Sequence, residues 1–402
     1  MKPANQTLKV ALPILLLIGS AHLFNDFIQS MLTAIYPMLQ KNFVLDFANI
    51  GLISLVYQMT ASILQPCIGF WTDKNPKPML LPIGMLVTTS GVVLLSSATA
   101  YSHLLIAAGM MGIGSSIFHP EAVRLTRIAS GGKYGLAQSI FQVGGNLGSA
   151  LGPLVAGIII VKYANQKNIL WFAAVGLIAC GVLFYLGNWG REYQKSNKRK
   201  VAGAVTFPYG KARTMWALTT LALLIFAKYF YMANFTNYFS FYLIEKFHVE
   251  RSNAVILVFV FMAAIAVGTF AGGPIGDKIG RRSVIWFSMI GAIPFSLALP
   301  HLPFIGVIIA SIFIGLILAS AFSAIVVFAQ ELVPGNVGMI AGIFFGLMFG
   351  MSGIGALFLG WLADVTNLQT VFILTSFLPF FGFLTFFLPK EEDKIAGNEE
   401  NA

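Results

Sequence analysis

Gly273-Pro274-Ile275-Gly276-Asp277-Lys278-Ile279-Gly280-Arg281-Arg282 closes a long apolar run, and a weaker copy of its start, Gly69-Phe70-Trp71-Thr72-Asp73-Lys74, closes another run 204 residues earlier. One charged turn between apolar runs is unremarkable. The same Gly-x-x-x-Asp-Lys spacing at two equivalent places marks an internal repeat. The second copy is complete, whereas the first continues as Asn75-Pro76-Lys77-Pro78, with prolines at the places of the later glycine and of the last basic residue.

Working outward from the two copies, apolar runs bounded by charged or Gly/Pro breaks fall near 11–39, 49–71, 79–99, 103–122, 134–161, 169–189, 214–243, 252–275, 283–299, 304–330, 337–363 and 368–389. Runs of about 20 residues have the length of membrane-crossing helices. With 57% hydrophobic and 10% charged residues in 402, too little polar surface exists to cover a water-soluble globule, so the solvent is lipid. The first run outlasts a signal-peptide core and is expected to be retained as a helix.

Charge gives the orientation. With the N-terminus cytoplasmic, nineteen of the 25 lysines and arginines fall on the cytoplasmic side. Five (Lys41, Lys162, Lys167, Lys246, Arg251) fall opposite, and Lys228 lies inside the membrane. This positive-inside bias places both termini in the cytoplasm and explains the +10 net charge without nucleic acid. The basic stretch 191–213 separates an N-terminal half, 1–190, from a C-terminal half, 214–389, followed by a polar tail, 390–402. The expected fold is therefore all-α and integral to the membrane, with 12 transmembrane helices in two pseudo-symmetric six-helix halves. That is the architecture of major facilitator transporters.

The 273–282 segment resembles the loop signature of that superfamily, G-x-x-x-D-[RK]-x-G-[RK]-[RK]. Its glycines suit close helix crossing, Asp73 and Asp277 suit the positive end of a neighbouring helix, and Arg281 and Arg282 suit an acid such as Glu331. These residues are expected to govern conformational change. Gly148-Ser149-Ala150-Leu151-Gly152-Pro153-Leu154-Val155-Ala156-Gly157 resembles the antiporter signature G-x-x-x-G-P-x-x-G-G, with Ala156 replacing one glycine. Read by shape alone, Gly148, Gly152 and Pro153 equally describe a helix-packing face with a pliable spot.

Polar residues inside the membrane carry the functional reading. His22, Asn25, Asp26 and Gln29 stand at i, i+3, i+4 and i+7 on the first helix, one face that meets water or substrate. Asp26 is expected to carry the proton; a satisfied hydrogen-bond cluster is the alternative. Gln138, Gln142 and Asn146, spaced by four, form a second polar face whose amides suit a polar ligand. Lys228, with Tyr231, Phe235 and Tyr242 on its face, is an anion anchor unless it pairs structurally with Asp26 or another acid. In Ser115-Ser116-Ile117-Phe118-His119-Pro120-Glu121, Pro120 is expected to break or bend the helix, and His119 points away from the face of Glu121 and Arg124. Glu121 either relays protons or pairs with Arg124 or the Lys74/Lys77 loop. The expected substrate site is His22, Asn25, Gln29, His119, Gln142, Asn146, Lys228 and Tyr231, with Asp26 and Glu121 for proton coupling.

His22-Leu23-Phe24-Asn25-Asp26, Ser115 to Glu121, Gly135 to Asn146, and Ala319 to Ala324 followed by Ala329-Gln330-Glu331-Leu332 resemble the bacterial fosmidomycin resistance proteins along nearly the whole chain. That resemblance implies a proton-driven exporter of a small phosphonate antibiotic in the bacterial inner membrane. Proton-coupled uptake or exchange of an organic anion is the alternative. No HExxH, GxSxG or paired-aspartate metal motif stands in the sequence, so no enzyme, metal or cofactor is expected, only a proton gradient. The expected partners are drug, protons and lipid, with the chain acting as a monomer. Cys67 and Cys180 lie far apart in apolar runs and are expected to be buried thiols.

Overall fold

The computed structural model describes residues 10–45, 47–161, 165–196 and 207–390. The tail beyond 390 and the basic residues Lys2, Lys9, Lys162, Lys198, Arg199, Lys200 and Lys394 lie outside the described residues. Contacts divide the chain into two compact units, Met1–Val201 with Val337–Met339, and Ala202–Asn336 with Ile340–Ala402.

In the first unit, α1 (Leu12–Ala34) continues after a turn as α2 (Tyr36–Phe43), followed by α3 (Phe47–Lys74), α4 (Leu80–Ser96), α5 (Tyr101–Ala129), α6 (Tyr134–Ala156) and α7 (Leu170–Ser196). A π-helical turn, Gly157–Val161, extends α6 one turn after Pro153. α1 packs on α6, α5 and α7, α3 packs on α5, and α4 packs on both α5 and α7.

The second unit holds α8 (Lys211–Phe247), α9 (Arg251–Ile279), α10 (Arg281–Ile290), α11 (Ile293–Ala298), α12 (Phe304–Ala319), α13 (Ala321–Leu332), most of α14 (Val337–Val365), and α15 (Leu368–Thr375) with a 3-10 segment, Leu378–Phe387. Here α9 packs on α12 and α13, which repeats the contact of the second apolar helix with the fourth seen between α3 and α5. The internal repeat of the sequence is thus also a repeat of packing. Gly280, at φ 90°, sits in a conformation that glycine adopts without strain and separates α9 from α10 inside the loop signature.

Eleven helices among the described residues are long and apolar enough to cross a membrane, and Leu80–Ser96 is a shorter apolar twelfth. Leu357, Trp216 and Phe387 are 79%, 72% and 71% exposed, which suits lipid and not water. The helices differ from expectation at three points. α5 runs unbroken past Pro120 to Ala129, because one missing N–H removes one bond from a ladder that neighbouring helices support. Arg191 to Ser196 belong to α7, and Lys211 to Arg213 to α8. Cys67 is exposed, and only partial burial is found for Cys180, since an apolar thiol is as compatible with a surface facing lipid as with a core.

Candidate functional site

Close helix packing builds the polar centre of the first unit. A Cβ on Gly144 would stand 2.0 Å from Gly19 O, one on Gly148 2.2 Å from Leu23 O, and one on Gly152 2.4 Å from Phe27 O. Residues spaced by four on α6 therefore lie against residues spaced by four on α1, backbone to backbone. Within this contact Gly145 leaves room for two polar side chains. A Cβ there would lie 2.5 Å from His22 Nε2 and 2.9 Å from Asp26 Oδ2.

Around that gap, His22 Nε2 stands 3.4 Å from Asp26 Oδ2, and His119 Nε2, arriving on α5, stands 4.0 Å from Asp26 Oδ1. His22 Nδ1 donates to Phe141 O at 2.7 Å, and His119 Nδ1 donates to Ser115 O at 3.0 Å. Phe141 stacks on the His22 ring at 4.0 Å, and the two imidazoles meet edge to face at 5.2 Å. Both histidines are buried, and Asp26 keeps 9% exposure.

An amide chain leads from this group to α3. Asn25 Nδ2 donates to Asp26 Oδ1 at 3.0 Å, and Gln29 Nε2 donates to Asn25 Oδ1 at 2.9 Å. Gln29 Oε1 accepts from the Tyr57 hydroxyl at 2.6 Å and from Ser115 Oγ at 3.2 Å. Ser149 Oγ reaches Asp26 Oδ2 at 3.4 Å. The expected polar stripe is thus one connected network in which the amide and hydroxyl donors of Tyr57, Gln29, Asn25 and Ser149 run towards Asp26. On α6, Gln138 and Gln142 are buried, and Gln142 Oε1 has no hydrogen-bond partner among the described residues, while Asn146 is partly exposed.

Further along α5, Arg124 forks onto both oxygens of Glu121, Nε to Oε2 at 2.9 Å and Nη2 to Oε1, with both side chains buried. Asp73 accepts from the backbone N–H of Gly338 and of Met339, both at 2.8 Å. Its carboxylate thereby caps the first turn of α14, in the Val337–Met339 segment that clusters with this unit.

In the second unit Lys228 is buried on α8, and its Nζ has no hydrogen-bond partner among the described residues. The ammonium lies 5.3 Å from the Tyr229 ring and 5.6 Å from the Phe322 ring. Such contacts stabilise a cation by roughly 0.5–2 kcal/mol, well short of the several kcal/mol that desolvation costs. Tyr231 instead meets Phe235 edge to face at 5.3 Å and enters an aromatic cluster with Phe239, Phe261 and Phe372. In the loop signature, Arg281 reaches Asp277 at 3.0 Å and Glu331 at 3.2 Å, and Arg282 donates to Thr385 O and Phe386 O.

Sequence reasoning did not single out Tyr57, Ser149, Gly145, Tyr229 or Phe322. Ser115, Gly145, Ser149 and Phe322 stood inside quoted strings, yet nothing in their spacing pointed to Gln29, Asp26 or Lys228. Tyr57 and Tyr229 sit in apolar runs that give no local signal.

The model of the Major Facilitator Superfamily matches residues 18–355 and, overlapping, 221–402, so the chain belongs to that superfamily of membrane transporters and is not an enzyme. It is 49% identical over 377 residues to the fosmidomycin resistance protein of Escherichia coli (strain K12), covering 94% of this chain and 93% of that one. To the MFS-type transporter YfnC of Bacillus subtilis (strain 168) it is 39% identical over 397 residues, with the same two coverages of 94% and 93%. The nitrite extrusion protein of the same organism is 23% identical over 332 residues, 82% of this chain and 80% of that one. Among solved structures, the transporter FucP in its outward conformation superposes with a TM-score of 0.72, covering 95% of this chain and 100% of that one at 13% identity. The proton:xylose symporter XylE gives 0.74, with 94% and 96% covered at 13% identity. These two show the fold. A small molecule crossing the membrane is the substrate class that the family implies.

Proposed function

We propose that this chain exports a small anionic antibiotic of the fosmidomycin type from the bacterial cytoplasm in exchange for protons, by alternating access, as a single chain in the inner membrane with both termini cytoplasmic. The observation that carries the reading is Lys228. A buried ammonium without a hydrogen-bond partner among the described residues is costly to maintain, and an anionic ligand is the partner that would offset the cost. A phosphonate suits it as a multiply charged acceptor. The 49% identical relative is named for fosmidomycin resistance, and a more distant one for extrusion of nitrite, itself a small anion.

Proton exchange is assigned to Asp26. Glu121 is already neutralised by a two-pronged bond to Arg124, whereas Asp26 is retained among neutral amides and two histidines. Gln142, with a carbonyl oxygen left open, and Asn146 are proposed to orient the ligand. The test is growth. Expressing the chain in a fosmidomycin-sensitive bacterium should raise the inhibitory concentration, and Lys228→Met should remove the protection at equal membrane abundance. Protection unchanged by Lys228→Met would overturn the anchor, and no protection by the wild type would overturn the substrate.

A further inference from the structure

The two histidines at Asp26 have an arrangement that a drug-binding role does not require. A carbonyl oxygen only accepts, so the bonds of His22 Nδ1 to Phe141 O and of His119 Nδ1 to Ser115 O place a hydrogen on each Nδ1. If both rings were neutral, each Nε2 would then present a lone pair. Those atoms stand 3.4 and 4.0 Å from the two oxygens of one carboxylate. Three acceptor groups converging in a buried site repel one another, and a proton taken up by one of them turns that repulsion into an attraction between nitrogen and oxygen.

We propose that the exchanged proton is held by an imidazole–carboxylate–imidazole unit of His22, Asp26 and His119, so that the histidines are proton-holding residues and not ligands of the drug. This rests on the proton-coupled reading above and names the groups that perform it. The unit carries −1 with both rings neutral, 0 with one proton and +1 with two. Each uptake forms one N–H or O–H bond with a proton delivered by water, and each release returns that proton to water. Protons in such a set belong to the group and not to one residue.

The surroundings support the assignment from every helix that packs on α1. α5 brings His119, while its remaining charges near this level, Glu121 and Arg124, neutralise each other. α6 brings the hydroxyl of Ser149 and the missing side chain of Gly145. α7 presents Phe172, stacked on Phe27, and the Tyr57 phenol of α3 reaches Asp26 only through Gln29 and Asn25. Among the described residues no lysine or arginine forms an ion pair with Asp26, so the two imidazoles are the groups that can bring it a positive charge.

The test is nitrogen-15 NMR of the full chain labelled at its five histidines, with signals assigned by their loss in His22→Gln and His119→Gln. Both rings should carry hydrogen on Nδ1, and Asp26→Asn should change the Nε2 protonation of both at the same pH. Rings with hydrogen on Nε2 alone, or rings indifferent to Asp26→Asn, would overturn the proposal. This readout needs no transport. In proteoliposomes, His22→Gln and His119→Gln should keep fosmidomycin–fosmidomycin exchange without a gradient but lose about tenfold in accumulation driven by pH. Accumulation at the wild-type level in both variants would overturn it too. Wild-type protein that exchanges drug but ignores the gradient would overturn proton coupling itself, while the NMR result still decides whether the unit exists.

Discussion

His22 Nε2 stands 3.4 Å from Asp26 Oδ2, one turn along the same helix, in a gap that exists because the facing residue on α6 is Gly145. The spacing i, i+4 places the two side chains on one face. The neighbouring glycines let α6 approach closely enough to seal that face from lipid. Charge, packing and proposed chemistry therefore meet in one contact.

Asp26→Asn should abolish accumulation of drug driven by a pH gradient while leaving binding within a few-fold, since the amide keeps the shape and loses the titratable group. Fosmidomycin uptake into everted vesicles and equilibrium binding to purified protein would be measured side by side. A variant that still concentrates drug moves the proton site to another residue.

Lys228→Met should weaken phosphonate binding far more than Lys228→Arg, because only the first removes the charge. Truncating one partner of a buried charged pair costs about 2–5 kcal/mol, or roughly 30-fold and upward in Kd. Equal binding by both variants, measured calorimetrically, would contradict the anchor.

Asp277→Asn and Asp73→Asn should slow the interconversion of states with binding affinity kept within a few-fold. Asp277 pairs with Arg281, which also holds Glu331, and Asp73 caps the Gly338 and Met339 amides. Rates of drug exchange compared with Kd check this; a large loss of affinity with normal rates is the opposite outcome.

Gly148→Ala should lower stability by about 1–3 kcal/mol, the usual penalty of overpacking, because the added methyl meets the Leu23 carbonyl at 2.2 Å. Gly157→Ala, with nothing within 4 Å of the added atom, should leave it nearly unchanged. Thermal unfolding in detergent separates the two.

Much of this was legible in sequence for a physical reason. Lipid demands long apolar helices, so spans such as Val337–Val365 announce themselves by composition alone. The i, i+4 relation of His22 and Asp26, the Glu121–Arg124 pair and the Arg281–Glu331 pair follow from helix periodicity or from a shared loop end. The approach of His119 to Asp26 does not, because it depends on how α5 is placed against α1. The same is true of Phe322 beside Lys228. Pro120 misled about where α5 ends because the rule that proline interrupts helices weakens where neighbouring helices compensate.

The central claim, outward movement of a small anion coupled to inward movement of protons, is tested most directly in everted membrane vesicles with an acidic lumen. Fosmidomycin should accumulate in the wild-type vesicles, collapse to the equilibrium level when the pH gradient is dissipated, and fail to accumulate with Asp26→Asn. Accumulation that survives loss of the gradient, or that proceeds equally in Asp26→Asn, would contradict the account.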